Sequence, residues 1–399
     1  MGSTLEVLFW FCLLLVFYTY LGYGIVIYAL VWLKRRLGRS FPVQKILCDD
    51  DLPEITLFIA AYNEEEVVAE KMANTYGLDY PKDKLKILWV IDGSNDSTME
   101  RLKAYDAIVV LHEPGRRGKT AAINRGMEFV ATPLVVFCDA NSILNRQALK
   151  IIVGLFMNSS VGCVSGEKRI AVEEGDGVSS KGESAYWKYE SFLKSLDSRF
   201  YSAVGAAGEL FAIRRELFEP MPEDTLLDDF MLSMRIAQKG YRIAYTPDAY
   251  AVERGSLNIE EEAKRKKRIA AGGIQSIIRL APLLNIFKYG RLSFLYVSHR
   301  VLRWSITPFA LFALLPLSLL LALVVGDASF SEFYCLLFVL QVLFYVAAIV
   351  GYGFSKRGIT SKFFYIPYYF VFMNINVFFG IYYLLNNRAG GAWEKSKRR

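Results

Sequence analysis

Leu134-Val135-Val136-Phe137-Cys138-Asp139-Ala140-Asn141 begins as an apolar run and ends in an acid and an amide. The run fits one strand buried on both faces, in the middle of a mostly parallel sheet covered by helices. Ligands collect beyond the carboxyl ends of such strands. Asp139 and Asn141, two residues apart on one side of an extended chain, offer two oxygens to a hard divalent cation. The competing role for Asp139 is to cap the turn or helix that follows.

Upstream the same device recurs. Strands are predicted over 55–60, 86–91 and 107–111 and helices over 64–76, 97–104 and 118–130, which makes 134–138 the fourth strand of a parallel α/β sheet. Polar residues gather where each strand ends: Ala61-Tyr62-Asn63-Glu64-Glu65-Glu66, then Asp92-Gly93-Ser94-Asn95-Asp96-Ser97, then Glu113-Pro-Gly-Arg-Arg-Gly118-Lys119. In a parallel sheet all three face one crevice. Asp92 suits a base or ribose, with Gly93 allowing close approach. Gly118 and Lys119, opening a helix, suit a phosphate, because helix N-terminal amides and an ammonium both favour an anion. Each piece taken singly also reads as a turn and a helix cap.

With 53% hydrophobic and 15% aromatic residues among 399, the chain is too apolar for an ordinary soluble protein. Residues 7–33 carry no charge and are followed at once by Lys34-Arg35-Arg36, which predicts a retained membrane helix with its N-terminus outside. Charge-free runs at 305–325, 333–354 and 363–387 are each long enough to span. The acidic loop 326–332 belongs outside and the basic loop 355–362 inside, while the basic tail Lys395-Ser-Lys-Arg-Arg399 prefers the inside, against a simple four-span count. Five scattered cysteines without metal-finger spacing indicate a reducing compartment for the soluble part. The net charge of +7 points to an anionic membrane surface and not to nucleic acid.

Ile59-Ala-Ala-Tyr-Asn-Glu-Glu65, Ile91-Asp-Gly-Ser94, Gly118-Lys-Thr-Ala-Ala-Ile-Asn124 and Cys138-Asp-Ala-Asn141 occur in that order, followed by Gly205-Ala-Ala-Gly208, Phe211-Ala-Ile-Arg-Arg215, Leu227-Asp-Asp-Phe230 and Arg265-Lys-Lys-Arg268. This ordered set resembles the family 2 glycosyltransferases of GT-A fold, above all the membrane-embedded hyaluronan, cellulose, chitin-oligosaccharide and poly-N-acetylglucosamine synthases. The resemblance implies that Asp92 contacts the uracil or ribose of a UDP-sugar, that Ala61, Tyr62 and Glu64 form the other wall of the base site, and that Lys119 lies near the nucleotide. It implies that Asp139 holds the diphosphate through Mg2+ or Mn2+, with Asn141 where the family has a second acid. Asp229 matches the catalytic base of the family's Thr-Glu-Asp segment, with Asp228 beside it able to raise its pKa. Both acids also suit the cap of a helix over 230–240.

Gly205 and Gly208, Trp187 and Arg235 are the candidate acceptor contacts, with a helical core position as the competing role for Trp187. The widest departure from the family is its Gln-x-x-Arg-Trp motif: Arg265 stands in the Gln position, Arg268 keeps the arginine for phosphate, and Ile269 replaces the tryptophan. That replacement bears on processivity. Lys264 to Lys267 also read as a polybasic segment against anionic lipid.

The plan that emerges is a membrane helix (1–33), a basic linker (34–52), a cytoplasmic GT-A domain (53–271), amphipathic interfacial helices (272–304), about three further membrane helices (305–387) and a basic tail (388–399). The expected activity is inverting transfer from a UDP-sugar to a growing exported polysaccharide at the plasma (bacterial inner) membrane. The alternatives are transfer of one sugar to a lipid-linked acceptor, or a silent nucleotide-sugar-binding subunit of a synthase complex.

Overall fold

The computed structural model describes residues 2–38, 47–171, 178–255, 259–325, 327–357, 359 and 361–386. The basic tail and part of the 34–52 linker fall outside them. Strands β1 (Ile55–Ala61), β2 (Leu85–Asp92), β3 (Val109–Glu113), β4 (Leu134–Asp139), β5 (Ile143–Leu144), β6 (Val161–Ala171), β7 (Leu210–Arg214) and β8 (Arg242–Arg254) form one eight-stranded sheet in the order β3-β2-β1-β4-β7-β6-β8-β5. The first four strands are mutually parallel, whereas β7 runs antiparallel to both β4 and β6.

Strand β4 is buried on both faces, as its apolar run predicts. Val135 and Phe137 join the core on one side, and Leu134, Val136 and Cys138 the core on the other. Phe137 stacks on Phe211 of β7 at 4.7 Å and packs on Phe58 of β1 at 5.1 Å. The parallel register pairs Ala60 with Asp139, Ala61 with Ile91, and Asp92 with Glu113, so the polar strand ends lie level along one edge.

In chain order the helices are α1 (Gly2–Phe17), α2 (Tyr23–Arg36), α3 (Val68–Tyr76), α4 (Thr98–Leu102), α5 (Lys119–Met127), α6 (Ala148–Leu155), α7 (Val178–Phe200), α8 (Asp228–Gln238), α9 (Ile259–Arg279), α10 (Ile286–Tyr289), α11 (Arg291–Tyr296), α12 (Leu302–Trp304), α13 (Ile306–Val324), α14 (Ala328–Lys356) and α15 (Lys362–Asn386). The helix expected over 64–76 starts only at Val68, because the amides of Glu64 and Glu65 donate to Thr98 Oγ1 and Asp96 Oδ2 of the next loop. The strand expected over 107–111 lies two residues later, and the helix expected over 230–240 starts at Asp228, which puts both acids in its first turn.

Among the described residues four helices are long and apolar enough to cross a membrane: Thr4–Arg36, which takes in most of α1, a π-helical turn at Tyr18–Gly22 and α2, together with α13, α14 and α15. The segment 272–304 differs from free-lying interfacial helices. Helix α9 runs without a break through the 271/272 boundary, and Leu280, Leu283, Leu292, Leu295 and Tyr296 belong to the main core of the catalytic domain. Arg300 and Arg303 are buried against Glu190 of α7 instead of facing lipid, because pairing inside costs less than leaving that carboxylate unpaired.

Candidate active site

The loops beyond β1 and β2 are sewn together. Asn63, at φ +52°, donates from Nδ2 to Asn95 Oδ1 at 2.7 Å and accepts the Asn95 amide on its Oδ1 at 3.0 Å, and its own backbone amide donates to Ser94 Oγ at 2.9 Å. Tyr62 forms a wall with the Arg116 guanidinium stacked 3.8 Å from its ring centroid. Buried Ala61 ends β1 beneath it. Asp92 ends β2. It is buried, and its oxygens accept the amides of Arg117 at 3.0 Å and Gly118 at 2.7 Å. It therefore shapes the 115–118 loop before it can present a carboxylate to a base. Gly93 is required there, since at φ +66° a Cβ would lie 2.5 Å from Arg116 N.

Three carboxylates and two cations meet at the end of β4. Lys119 Nζ is 2.7 Å from Asp139 Oδ1 and 3.6 Å from Asp228 Oδ2. Burial works against this ammonium, but Asp139, Asp228 and Asp229 outweigh it and hold its pKa above the ordinary lysine value. Arg268, from α9, is subject to burial, which lowers its pKa, and to Asp228, Asp139 and Asp229, which favour its charge. Its Nε is buried without a hydrogen-bond partner, and so is Asp228 Oδ2.

Asp229 opens α8, with Oδ1 accepting the amide of Phe230 at 2.8 Å. Burial first, and the adjacent Asp228 second, push its pKa up to about 7, with Lys119 opposing. Gly208 leaves this carboxylate room, since a Cβ would stand 3.0 Å from Asp229 Oδ2. Gly205, at φ +85°, turns the chain where a side chain would collide with the Phe230 ring.

These residues fit a divalent cation. The donors are hard oxygens, Asp228 Oδ2 lacks a hydrogen bond although it is buried, and Asn141 lies in the turn after β4. Among the described residues no cluster of three or more histidine, cysteine or acidic side chains offers a complete cage.

Trp187 packs among three lysines, with Lys168, Lys266 and Lys194 at 5.3, 5.9 and 6.0 Å from its ring. Lys168 in turn contacts Glu209, the residue after Gly208. Arg235 does not join the site: two turns along α8 from Asp229, it donates to the Pro220 carbonyl at 3.0 Å and pairs with Glu219 at 2.9 Å. Glu64 is placed at the loop rim through its amide bond to Thr98 Oγ1, 2.8 Å. Sequence reasoning passed over Arg116, Glu209 and Lys71. The Lys71 ammonium, fully buried, donates to the Ser142 carbonyl at 2.6 Å and so braces the turn that carries Asn141. Its signal was there to read, because Val68, Lys71, Met72 and Thr75 share one helix face and only the lysine is charged.

A mixed sheet whose parallel strands β1 to β4 bring paired loops, Lys119, Asp139 and the buried Asp229 to one edge has the architecture of the GT-A class. The chain belongs to the glycosyltransferase-like family 2, whose model matches residues 53–272, and it is therefore a transferase enzyme. It is 26% identical over 242 residues to the poly-beta-1,6-N-acetyl-D-glucosamine synthase of Staphylococcus aureus (strain COL), covering 58% of this chain and 57% of that relative. It is 25% identical over 252 residues to the probable glycosyltransferase YdaM of Bacillus subtilis (strain 168), covering 60% of each. The chain thus matches somewhat more than half the length of these relatives. Among solved structures it resembles the mannosyltransferase PcManGT from Pyrobaculum calidifontis, in complex with GDP-Man and Mn2+, with a TM-score of 0.69 and 21% identity over 96% of this chain and all of that one.

Proposed function

We propose that this protein is an inverting glycosyltransferase that takes a UDP-sugar from the cytoplasm and extends a polysaccharide exported through the same membrane. The observation that carries the reading is Asp229, a buried carboxyl held near pKa 7 at the end of a crevice whose other side is cationic. As the acceptor hydroxyl oxygen bonds to the anomeric carbon, its proton passes to the Asp229 carboxylate, and the bond to the diphosphate breaks on the opposite face. Lys119 exchanges Asp139 for diphosphate oxygens, and Arg268 turns its unpartnered Nε–H to the same charge. Asp139, Asn141 and Asp228 would hold Mg2+ or Mn2+, which would supply Lewis-acid stabilisation of a leaving diphosphate. The matches to a poly-N-acetylglucosamine synthase support the polymer, and Lys34-Arg35-Arg36 at the end of the first span supports a cytoplasmic catalytic domain.

The test is UDP release by the detergent-purified chain across a panel of UDP-sugars with Mg2+ or Mn2+, with labelled products sized on a gel. Donor-dependent release with a long product is expected, and no release with any donor and acceptor overturns the reading. The lipid-acceptor alternative is favoured by one observation, the half-buried Ile269 where synthases carry tryptophan. If that position governs processivity, Ile269→Trp lengthens the product ladder, and an unchanged ladder refutes the link.

A further inference from the structure

Helix α7 carries Trp187 and, seven residues on and therefore on the same face, Lys194. Three ammoniums converge on the Trp187 indole, and two of them have counter-ions. Lys168 lies between Glu209 and Glu253, and Lys266 is 3.4 Å from Glu262. Lys194 is only 5% exposed, yet no group among the described residues accepts a hydrogen bond from it. The neighbouring carboxylates are engaged elsewhere: Glu190 by Arg300, Arg303 and His299, Glu167 by the hydroxyls of Ser191 and Tyr245, and Glu209 by Lys168. Burial accordingly lowers the pKa of Lys194, with Glu190 opposing. The stem of Lys194 is buried while its ammonium keeps some accessible surface, which leaves its donors open to a ligand.

The place of this cation gives it a use. On one side Lys168 leads through Glu209 and Gly208 to the Asp229 carboxylate. On the other, Lys266 lies 5.7 Å from the ring of Tyr369 in the membrane-crossing α15, and Tyr189 of α7 donates to the Tyr20 carbonyl of the first span at 2.7 Å. The indole and Lys194 thus sit between the Asp229 carboxylate and the apolar spans.

We propose that Trp187 and Lys194 form a binding site for a phosphate group on the acceptor, a deepening that rests on the transferase reading of the crevice. A sugar hydroxyl would satisfy one donor of Lys194 but leave its charge uncompensated, whereas a phosphate oxygen does both through a charge-assisted bond. The phosphate belongs either to a lipid carrier or to a soluble sugar phosphate.

The experiment uses the full chain in detergent with UDP and Mn2+ present, and measures binding of a short prenyl phosphate, of the prenyl alcohol of equal chain length, and of hexose 1-phosphate. The phosphate ester is expected to bind about tenfold more tightly than the alcohol, a gap lost in Lys194→Met and kept in Lys194→Arg. Competition by hexose 1-phosphate assigns the soluble source, and prenyl phosphate binding without such competition assigns the lipid. Equal binding of phosphate and alcohol, or an undiminished gap in Lys194→Met, overturns the proposal. If Lys194→Met does not fold, Lys194→Gln and the wild-type comparison decide. Loss of UDP binding in the wild type would instead sink the transferase reading, whereas retained UDP binding without phosphate preference sinks this inference alone.

Discussion

Asp229 is badly solvated, which suits it to the proposed role of base. Replacing it by Asn is expected to lower transfer by about two to four orders of magnitude while UDP binding persists, measured by turnover beside calorimetry. Wild-type rates should rise as pH passes through about 7, where the carboxyl ionises, and level off above. Stability runs the other way. A carboxyl with a raised folded pKa stabilises the fold fully below its unfolded value and loses that contribution as pH climbs to about 7, so Asp229→Asn should unfold at a higher temperature than wild type at pH 8. Lys71 acts through another group, the Ser142 carbonyl. Lys71→Met is expected to weaken Mn2+-dependent UDP binding by about 10- to 100-fold, with metal-independent UDP binding changed much less, and equal losses in both titrations would mean a merely structural lysine.

At the scale of elements, the start of α8 and the 205–208 turn position the Asp229 carboxylate. Gly205 needs a positive φ and has no room beside the Phe230 ring, while Phe230 N holds Asp229 Oδ1. Gly205→Ala should therefore displace the base and cut kcat by about 10²-fold with a smaller change in donor KM, since misplacement of about 1 Å is enough. Rates near wild type would show that the turn yields without moving Asp229. The elements themselves were largely legible: β4 reads as a buried strand because every residue from 134 to 138 is apolar, and the observed strand begins where expected. Helix α3 was read too long, because nothing local in Glu64-Glu65-Glu66 shows that their loop is bonded to the one beyond β2.

Across the whole molecule, Glu190 ties the catalytic domain to the segment that leads into the spans. It accepts from Arg300 and from Arg303, the latter at 3.1 Å, and His299 Nε2 is 3.3 Å away. Burial would raise its pKa, but Arg300, His299 and Arg303 hold it well below the usual carboxylate range. Glu190→Gln leaves two buried guanidiniums without a counter-charge and is expected to cost about 3–5 kcal/mol, read as a lower unfolding temperature in detergent. An unchanged temperature would mean that water reaches the pair.

The sequence by itself determined what depends on neighbours along the chain: the four apolar spans, the strand-helix alternation, and the order of polar strand ends that places Asp92, Lys119, Asp139 and Asp229 near one crevice. Only the tertiary structure decided which way each polar group turns. Asp92 faces backbone amides, Arg235 faces Glu219, and Arg300 and Arg303 face Glu190 instead of lipid. The reason is physical: hydrophobic periodicity is written locally, but a buried charge takes its partner from whatever the fold brings within hydrogen-bond reach, here from residues more than a hundred positions away.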